Sequence, residues 1–308
     1  TMVGLSHEAK IAVFEGDEYL TSPIDLRPKF HLYHPNIALI TGIAWDHINV
    51  FKTFPDYVWQ FERFSQLIEP NGALVYFSGD DNLQNIASKC RPDVKLLPYN
   101  TPNYIVRSGV TYLQADGKEY KLSIFGEHNL QNIAGAMQVC LQLGVSATDF
   151  LQAISTFEGA DKRLQLILTK NDSLAFTDFA HSPSKLKATV KAVRNQYPDK
   201  KIVACMELHT YSSLNENFLS QYAGTMDLAD EAYVFFSPHA IELKRLETIT
   251  TQQVEAAFAK QGLQAFDNIE ALTATLTAKP QSNCVLLFLS SGNFAGTDLK
   301  ALAEKMLS

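Results

Sequence analysis

An α/β fold built on a mainly parallel sheet is what this sequence predicts, and two observations predict it. Short apolar runs, bounded by Gly, Asp, Asn or Pro, alternate along the chain with amphipathic segments. Most of these runs are apolar at successive positions rather than at every second one, as expected of strands covered on both faces. In order they are "KIAVFEGDE", "NIALITGIAWDH", "GALVYF", "YKLSIFGEH", "LQLILT", "LAFTDFAH", "KIVACMELH", "EAYVFFSPH" and "CVLLFLSSGN". Amphipathic spacing places helices between them at about 54–68, 82–90, 129–143, 146–157, 183–196, 215–229, 251–261 and 298–307. That βαβα rhythm layers helices on a sheet. Residues 94–125, rich in Tyr and Val with the turn "ADGKE", break the rhythm and read as a small antiparallel insert. The rhythm restarts after "FEGADKR", so two domains are expected, 1–159 and 160–308.

Composition narrows the function. The 33 acidic and 26 basic residues give a net charge of −7 without any Lys/Arg run, which argues against a nucleic-acid or anionic-membrane surface. Any anionic ligand has to be held locally. The four cysteines, Cys90, Cys140, Cys205 and Cys284, are isolated and form no CxxC pair, so a zinc site is not expected and a reducing, cytoplasmic compartment is. No stretch approaches the roughly 20 apolar residues of a membrane span.

Polar groups gather just beyond the expected strand ends, where open α/β sheets bind ligands. Glu15, Asp17 and Glu18 follow one run, Asp46 and His47 a second, and Asp178 and His181 a third. Loops collect carboxylates as solvated surface, so each cluster alone says little. Together they would suit a Mg²⁺ ion, which takes few protein ligands and leaves the remainder to water and phosphate. A second anomaly is "FGEHNLQNIAGAM", an Ala-rich helix that opens on a Gly, a His and two Asn. Asn129 and Asn132 are three apart and share a helix face, and an amide can both donate to and accept from a base edge. The bland reading of Asn129 is a helix cap.

The motifs "EGDEY", "GIAWDH", "FGEHNLQNIAGAM", "FEGADKRLQ", "FTDFAHSPSKLKATVKAVR" and "SSGNFAG" occur in the order seen in Mur ligases, which the chain resembles over nearly its whole length. The resemblance implies a central ATP-binding domain followed by a Rossmann-like carboxyl-terminal domain, and an ATP-dependent amide ligase of peptidoglycan precursors. Within the family, "EGDEY", "PIDLRPKFHLYHP" and "ACMELHTYSSL" are most similar to the branch that recycles murein peptide. The implied substrates are then UDP-N-acetylmuramate and L-alanyl-γ-D-glutamyl-meso-diaminopimelate, with L-alanine as the alternative acceptor. A nucleotide-binding homologue without catalysis is a further alternative, and a Ser-His-Asp hydrolase is disfavoured because no G-x-S-x-G elbow is present.

The resemblance also implies roles. Glu15 and His47 would hold Mg²⁺ near the γ-phosphate; His128, Asn129 and Asn132 would meet the adenine; Arg163 would reach the phosphates. Asp178 would accept from the ribose, beside His181. Ser182 stands where the motif has a second histidine. His209, Thr210, Ser291, Gly292 and Asn293 would recognise the acceptor. No residue identifies itself as the base for the attacking amine, and Glu62 falls roughly where some Mur ligases carry a carbamylated lysine. There is no GxxxxGK[ST] in these residues, although the family places a phosphate loop upstream of the "EGDEY" run. The expectation is therefore a fragment, inactive alone.

Overall fold

The computed structural model describes residues 6–307, which pack as two units, one ending at Tyr99 and one beginning at Asn100. The first unit carries three parallel strands in the order β1 (Ile37–Ile40), β2 (Ala73–Phe77) and β3 (Lys95–Tyr99). Two helices cover them, α1 (Phe54–Gln66) and α2 (Asp81–Ser88). Both start where a side chain satisfies free backbone donors: Thr53 accepts from the Asp56 N–H, and Asp80 accepts from those of Asn82 and Leu83. The core beneath them holds Phe30, Phe61, Leu74, Leu83 and Ile86.

The expected first strand over "KIAVFEGDE" does not form. Residues 10–18 belong to no strand, and Val13 and Phe14 are 90% and 67% exposed. A strand exists only through a ladder of hydrogen bonds to a neighbour, and among the described residues the one backbone bond to this segment runs from the Phe30 N–H to the Asp17 carbonyl.

The second unit opens with an antiparallel sheet of β4 (Tyr104–Arg107), β5 (Val110–Ala115) and β6 (Lys118–Leu122). It is the expected insert, but it starts later than residue 94, because β3 lies in the parallel sheet of the first unit. Leu113 and Leu122 pack with Leu130, Ile133 and Leu151 of α3 (Glu127–Gln142) and α4 (Ala147–Ile154).

A six-stranded sheet follows, in the order β11-β10-β9-β12-β8-β7. Its strands are β7 (Gln165–Lys170), β8 (Ser173–Asp178), β9 (Lys201–Leu208), β10 (Glu231–Phe236), β11 (Gln264–Phe266) and β12 (Cys284–Leu289). All neighbours are parallel except the β7–β8 hairpin at one edge. β12 is buried at all six positions, which is why its sequence is a continuous apolar run. Helices α5 (Pro183–Gln196), α6 (Glu216–Leu219), α7 (Pro238–Leu243), α8 (Thr251–Phe258), α9 (Ile269–Thr277) and α10 (Leu299–Met306) connect and flank the strands. The expected long helix over 215–229 is only α6 plus one 3-10 turn at Ser220–Tyr222. Gly224 takes φ +72 and gives its N–H to the Phe258 carbonyl, so the helical ladder cannot continue. The sequence reading missed α7, β11 and α9; α7 lies in what read as the tail of a strand run.

One junction in this unit positions the helix that carries the two asparagines. Gly126 caps α3 with φ 95 and ψ 138, and a Cβ there would lie 2.7 Å from the Ala192 methyl of α5. Glu127 pairs with Lys191 at 2.7 Å, and Phe125 packs edge-on against Phe176 and Tyr197. Gly126→Ala is expected to destabilise this unit by about 2 kcal/mol, from the strained backbone and the clash. Urea unfolding checks it; a loss below about 0.5 kcal/mol would mean that the junction yields easily.

Candidate functional site

The strand order brings three carboxyl ends together, because β12 inserts between β8 and β9; Leu289 faces Asp178 on one side and Met206 on the other. Such a crossover point is where an open α/β sheet leaves a crevice. Asp178 closes β8 and is 4% exposed. One of its carboxylate oxygens accepts from the Leu164 N–H at 2.7 Å; the other accepts from the Ala180 N–H at 2.8 Å and the Thr189 hydroxyl at 3.3 Å. Its carbonyl accepts from the Ser290 N–H. Asp178 therefore holds the Arg163 loop and the β12 turn against β8, and the expected ribose contact is left only the acceptor capacity that these bonds do not use.

Arg163 is exposed, and its side chain makes no hydrogen bond or ion pair among the described residues; its guanidinium carbon sits 5.5 Å from the centroid of the half-buried Phe179 ring. Phe179, which the sequence reading did not single out, also meets the His181 ring edge-on at 5.2 Å. The signal for it was an aromatic residue directly after the strand-end aspartate. His181 is buried, with Nδ1 2.9 Å from the Phe179 carbonyl, so Nδ1–H donates. Ser182 begins α5 without capping it, and its shielded hydroxyl has no partner among the described residues.

The helix start at α3 faces the same groups. Burial pushes the His128 pKa down from its ordinary 6.5, the Asp178 carboxylate opposes this, and the Arg163 charge adds to it. The imidazole is neutral near pH 7. Asn129 gives its amide N–H to the Phe125 carbonyl at 2.8 Å, while the cap position belongs to Gly126. Asn132, one turn on, is exposed, and its side chain makes no hydrogen bond among the described residues.

On the β9 and β12 side the structure adds a residue that the sequence reading passed over. Glu207 is 2% exposed; one of its oxygens accepts from the Ser290 hydroxyl and, at 2.9 Å, from the Phe294 N–H. The other oxygen lies 3.8 Å from Nδ1 of His209, whose side chain is 40% exposed. Thr210 is engaged locally, its hydroxyl paired with Ser213. In the turn, Asn293 accepts from the Gly296 N–H, and the Ser291 hydroxyl is shielded without a partner among the described residues. A cavity of about 260 Å³ opens beside this turn, lined by Lys162, Thr177, Asp178, Ser290, Gly292 and Asn293 among others.

In the first unit, His47 takes φ 55 and lies 4.0 Å from both Glu18 and Asp46, with Tyr19 packed on its ring. Glu15 does not join them: it is exposed and makes no hydrogen bond or ion pair among the described residues. Glu18 occupies the place expected of it, also accepting from the Tyr57 hydroxyl. Two carboxylates and an imidazole are a donor set that a Mg²⁺ ion accepts in part, with water and phosphate supplying the rest. Among the described residues no group of three or more His, Cys, Asp and Glu side chains is arranged to hold a metal ion, so these side chains would supply at most part of a coordination shell. Glu62 is engaged by Lys89 at 3.3 Å.

Comparison with known proteins decides the family. The Mur ligase middle domain matches residues 2–140, and the Mur ligase glutamate ligase domain matches residues 162–292. The chain belongs to the Mur ligase family. It is 25% identical over 292 residues to the UDP-N-acetylmuramate–L-alanine ligase of Desulfitobacterium hafniense, covering 91% of this chain and 64% of that protein. The chain thus spans less than two thirds of that relative's length. Among solved structures it is similar to a murein peptide ligase from Psychrobacter arcticus, with TM-score 0.62, 21% identity, and coverage of 94% of this chain and 62% of the other. It is also similar to the MurF ligase of Thermotoga maritima in complex with ADP, with TM-score 0.64, 16% identity, and coverage of 89% and 61%. These structures share its fold. Mur ligases are ATP-dependent amide ligases; the middle-domain match runs past the first unit through β4–β6 and most of α3, and the glutamate-ligase match covers β7 to the turn after β12.

A pH dependence follows from His128. Its native pKa lies below its unfolded value of 6.5, so below that pH the unfolded chain binds a proton that the native state refuses, and stability falls as pH drops. Buried His31 in the first unit is shifted in the same direction. The loss of melting temperature between pH 7.5 and 5.5 should therefore be smaller in His128→Asn than in the parent protein, as read by thermal unfolding.

Proposed function

We propose that the protein is a UDP-N-acetylmuramate ligase that joins an amine to the lactyl carboxyl at the expense of ATP. The observation that carries this reading is the Arg163 guanidinium, free of carboxylate partners and resting on Phe179 beside the neutral His128. A flat ring supplies a stacking surface for a base, the imidazole and the Asn132 amide supply donors and acceptors for its edge, and an arginine fork free of carboxylate partners suits phosphate oxygens.

In this reading the lactyl carboxylate attacks the γ-phosphorus, ADP leaves, and an acyl phosphate forms; the acceptor amine then displaces phosphate from the acyl carbon. Arg163 meets charge that builds on the transferred phosphoryl oxygens. His47 and Glu18 would hold a Mg²⁺ ion, which neutralises phosphate charge when bound. His209, Ser291, Gly292 and Asn293 face the acceptor, with Thr210 shaping the local turn.

The curated relatives favour L-alanine as the acceptor, since they are named as L-alanine-adding ligases. A second reading, the diaminopimelate tripeptide of the recycling branch, rests on the resemblance of "ACMELHTYSSL" to that branch, although the segment from Glu207 to Ser213 has no Lys or Arg to meet the additional carboxylates of a tripeptide. Phosphate release by the intact gene product with Mg²⁺, ATP and UDP-N-acetylmuramate, offered L-alanine or the tripeptide, separates the two. Release with neither acceptor would sink both. In the active pairing, Arg163→Ala is expected to lower kcat/KM for ATP about tenfold to hundredfold, the range for losing a charged hydrogen bond. Arg163→Lys should recover only part of it, because an ammonium has neither the fork nor the flat face.

A further inference from the structure

We propose that His209 is the base that takes a proton from the acceptor's ammonium group, and that Glu207 is the residue that positions it. The inference rests on the ligase reading above and supplies the step for which the sequence offered no residue.

Glu207 is a carboxylate buried at the end of β9, and burying such a charge is costly unless it is hydrogen-bonded. Only one of its two oxygens is so bonded, by the Ser290 hydroxyl and the Phe294 N–H. Those bonds clamp the β12 turn to β9. The other oxygen faces His209 and makes no hydrogen bond among the described residues; Nδ1 at 3.8 Å is its nearest cationic or protonated neighbour. Gly292 approaches the same Nδ1 edge of the imidazole. A Cβ on that glycine would lie 2.7 Å from the Glu207 carboxylate and 2.7 Å from both Cγ and Nδ1 of His209. A side chain at position 292 would therefore collide with both groups, and the bare backbone there leaves room for the ring to lie against the carboxylate. At 3.8 Å the contact is longer than a hydrogen bond; closing it directs Nδ1–H at Glu207 and leaves the lone pair on Nε2, on a side chain that is 40% exposed while its partner is 3% exposed. A buried acid holding one tautomer of an accessible histidine is the arrangement that makes imidazole a general base.

The step balances without a further reagent. An N–H bond of the acceptor's ammonium breaks and its proton goes to Nε2, leaving an amine lone pair. That pair forms the C–N bond at the acyl carbon; as the tetrahedral intermediate collapses, phosphate leaves with the electron pair of the C–O bond and takes up the second proton that the nitrogen releases, departing as hydrogen phosphate. The imidazolium formed sits beside the Glu207 carboxylate, which stabilises it, and its proton passes to water from the exposed edge.

The test compares two acceptors with the intact gene product. The amino acid or peptide acceptor arrives as an ammonium and needs a base; hydroxylamine is largely unprotonated near neutral pH and captures the acyl phosphate as a hydroxamate without one. His209→Gln should lower the ratio of amide to hydroxamate about 100-fold. Glu207→Gln keeps an acceptor for Ser290 and Phe294 but drops the charge, and should lower the same ratio about tenfold. Glu207→Asp should recover part of it. An active parent enzyme whose amide-to-hydroxamate ratio is unchanged in His209→Gln overturns this inference and leaves the ligase reading standing. Equal losses of both products in Glu207→Gln would make Glu207 a clamp for the turn alone and overturn its positioning role. A parent enzyme that forms neither product overturns the ligase reading and this one with it.

Discussion

The Asp178 carboxylate is the constraint on which the second unit's site depends. It is buried at the end of β8 and bonded to donors from three places: the loop before β7, the turn after β8 and the body of α5. Buried carboxylates persist only when their oxygens are satisfied, so each of those segments is held where its donor has to be. The consequence reaches residues that Asp178 does not touch. Leu164 is fixed, so Arg163 beside it is held over Phe179, and the Ser290 N–H bond brings the start of the β12 turn to the same strand end.

A second buried carboxylate repeats the device one strand over. Glu207 fastens the far side of the β12 turn, so the segment Ser290–Phe294 is pinned from β8 at its first residue and from β9 at its last. Phe294 and Ala295 adopt left-handed φ values of 48 and 52, a conformation that side chains disfavour and that the surrounding bonds sustain. The apolar side of the turn is anchored too, with Phe294 packed against Phe235 and Phe288. Under the proposed ligase reading, rigidity at this point would hold small groups in line, and orientation alone can supply about 7 to 11 kcal/mol of barrier reduction in well-placed reactions.

Much of the second unit was legible because burial on both faces leaves its mark on composition. A strand such as Cys284–Leu289 has no solvent side, so its run is apolar throughout, and the motif following it marks the strand end. The first expected strand failed for the opposite reason. Its residues have the right composition, but strand formation depends on a neighbour, and composition carries no information about which neighbour is there. The short helices α7 and α9 were missed because a few turns of apolar spacing are ambiguous against a strand run or a loop.

The sequence by itself determined the fold class, most of the helices and the motifs that place the chain among Mur ligases, since periodicity and local residue chemistry are written in adjacent positions. Only the tertiary structure decided which members of those motifs meet. It put Glu18 rather than Glu15 beside His47, turned Asp178 inward to bind backbone donors, and raised Glu207 from an unremarked strand residue to the partner of His209. The reason is physical: spacing along the chain specifies which face of an element a residue occupies, whereas the partner of a buried charge is set by strand order and by donors from distant segments.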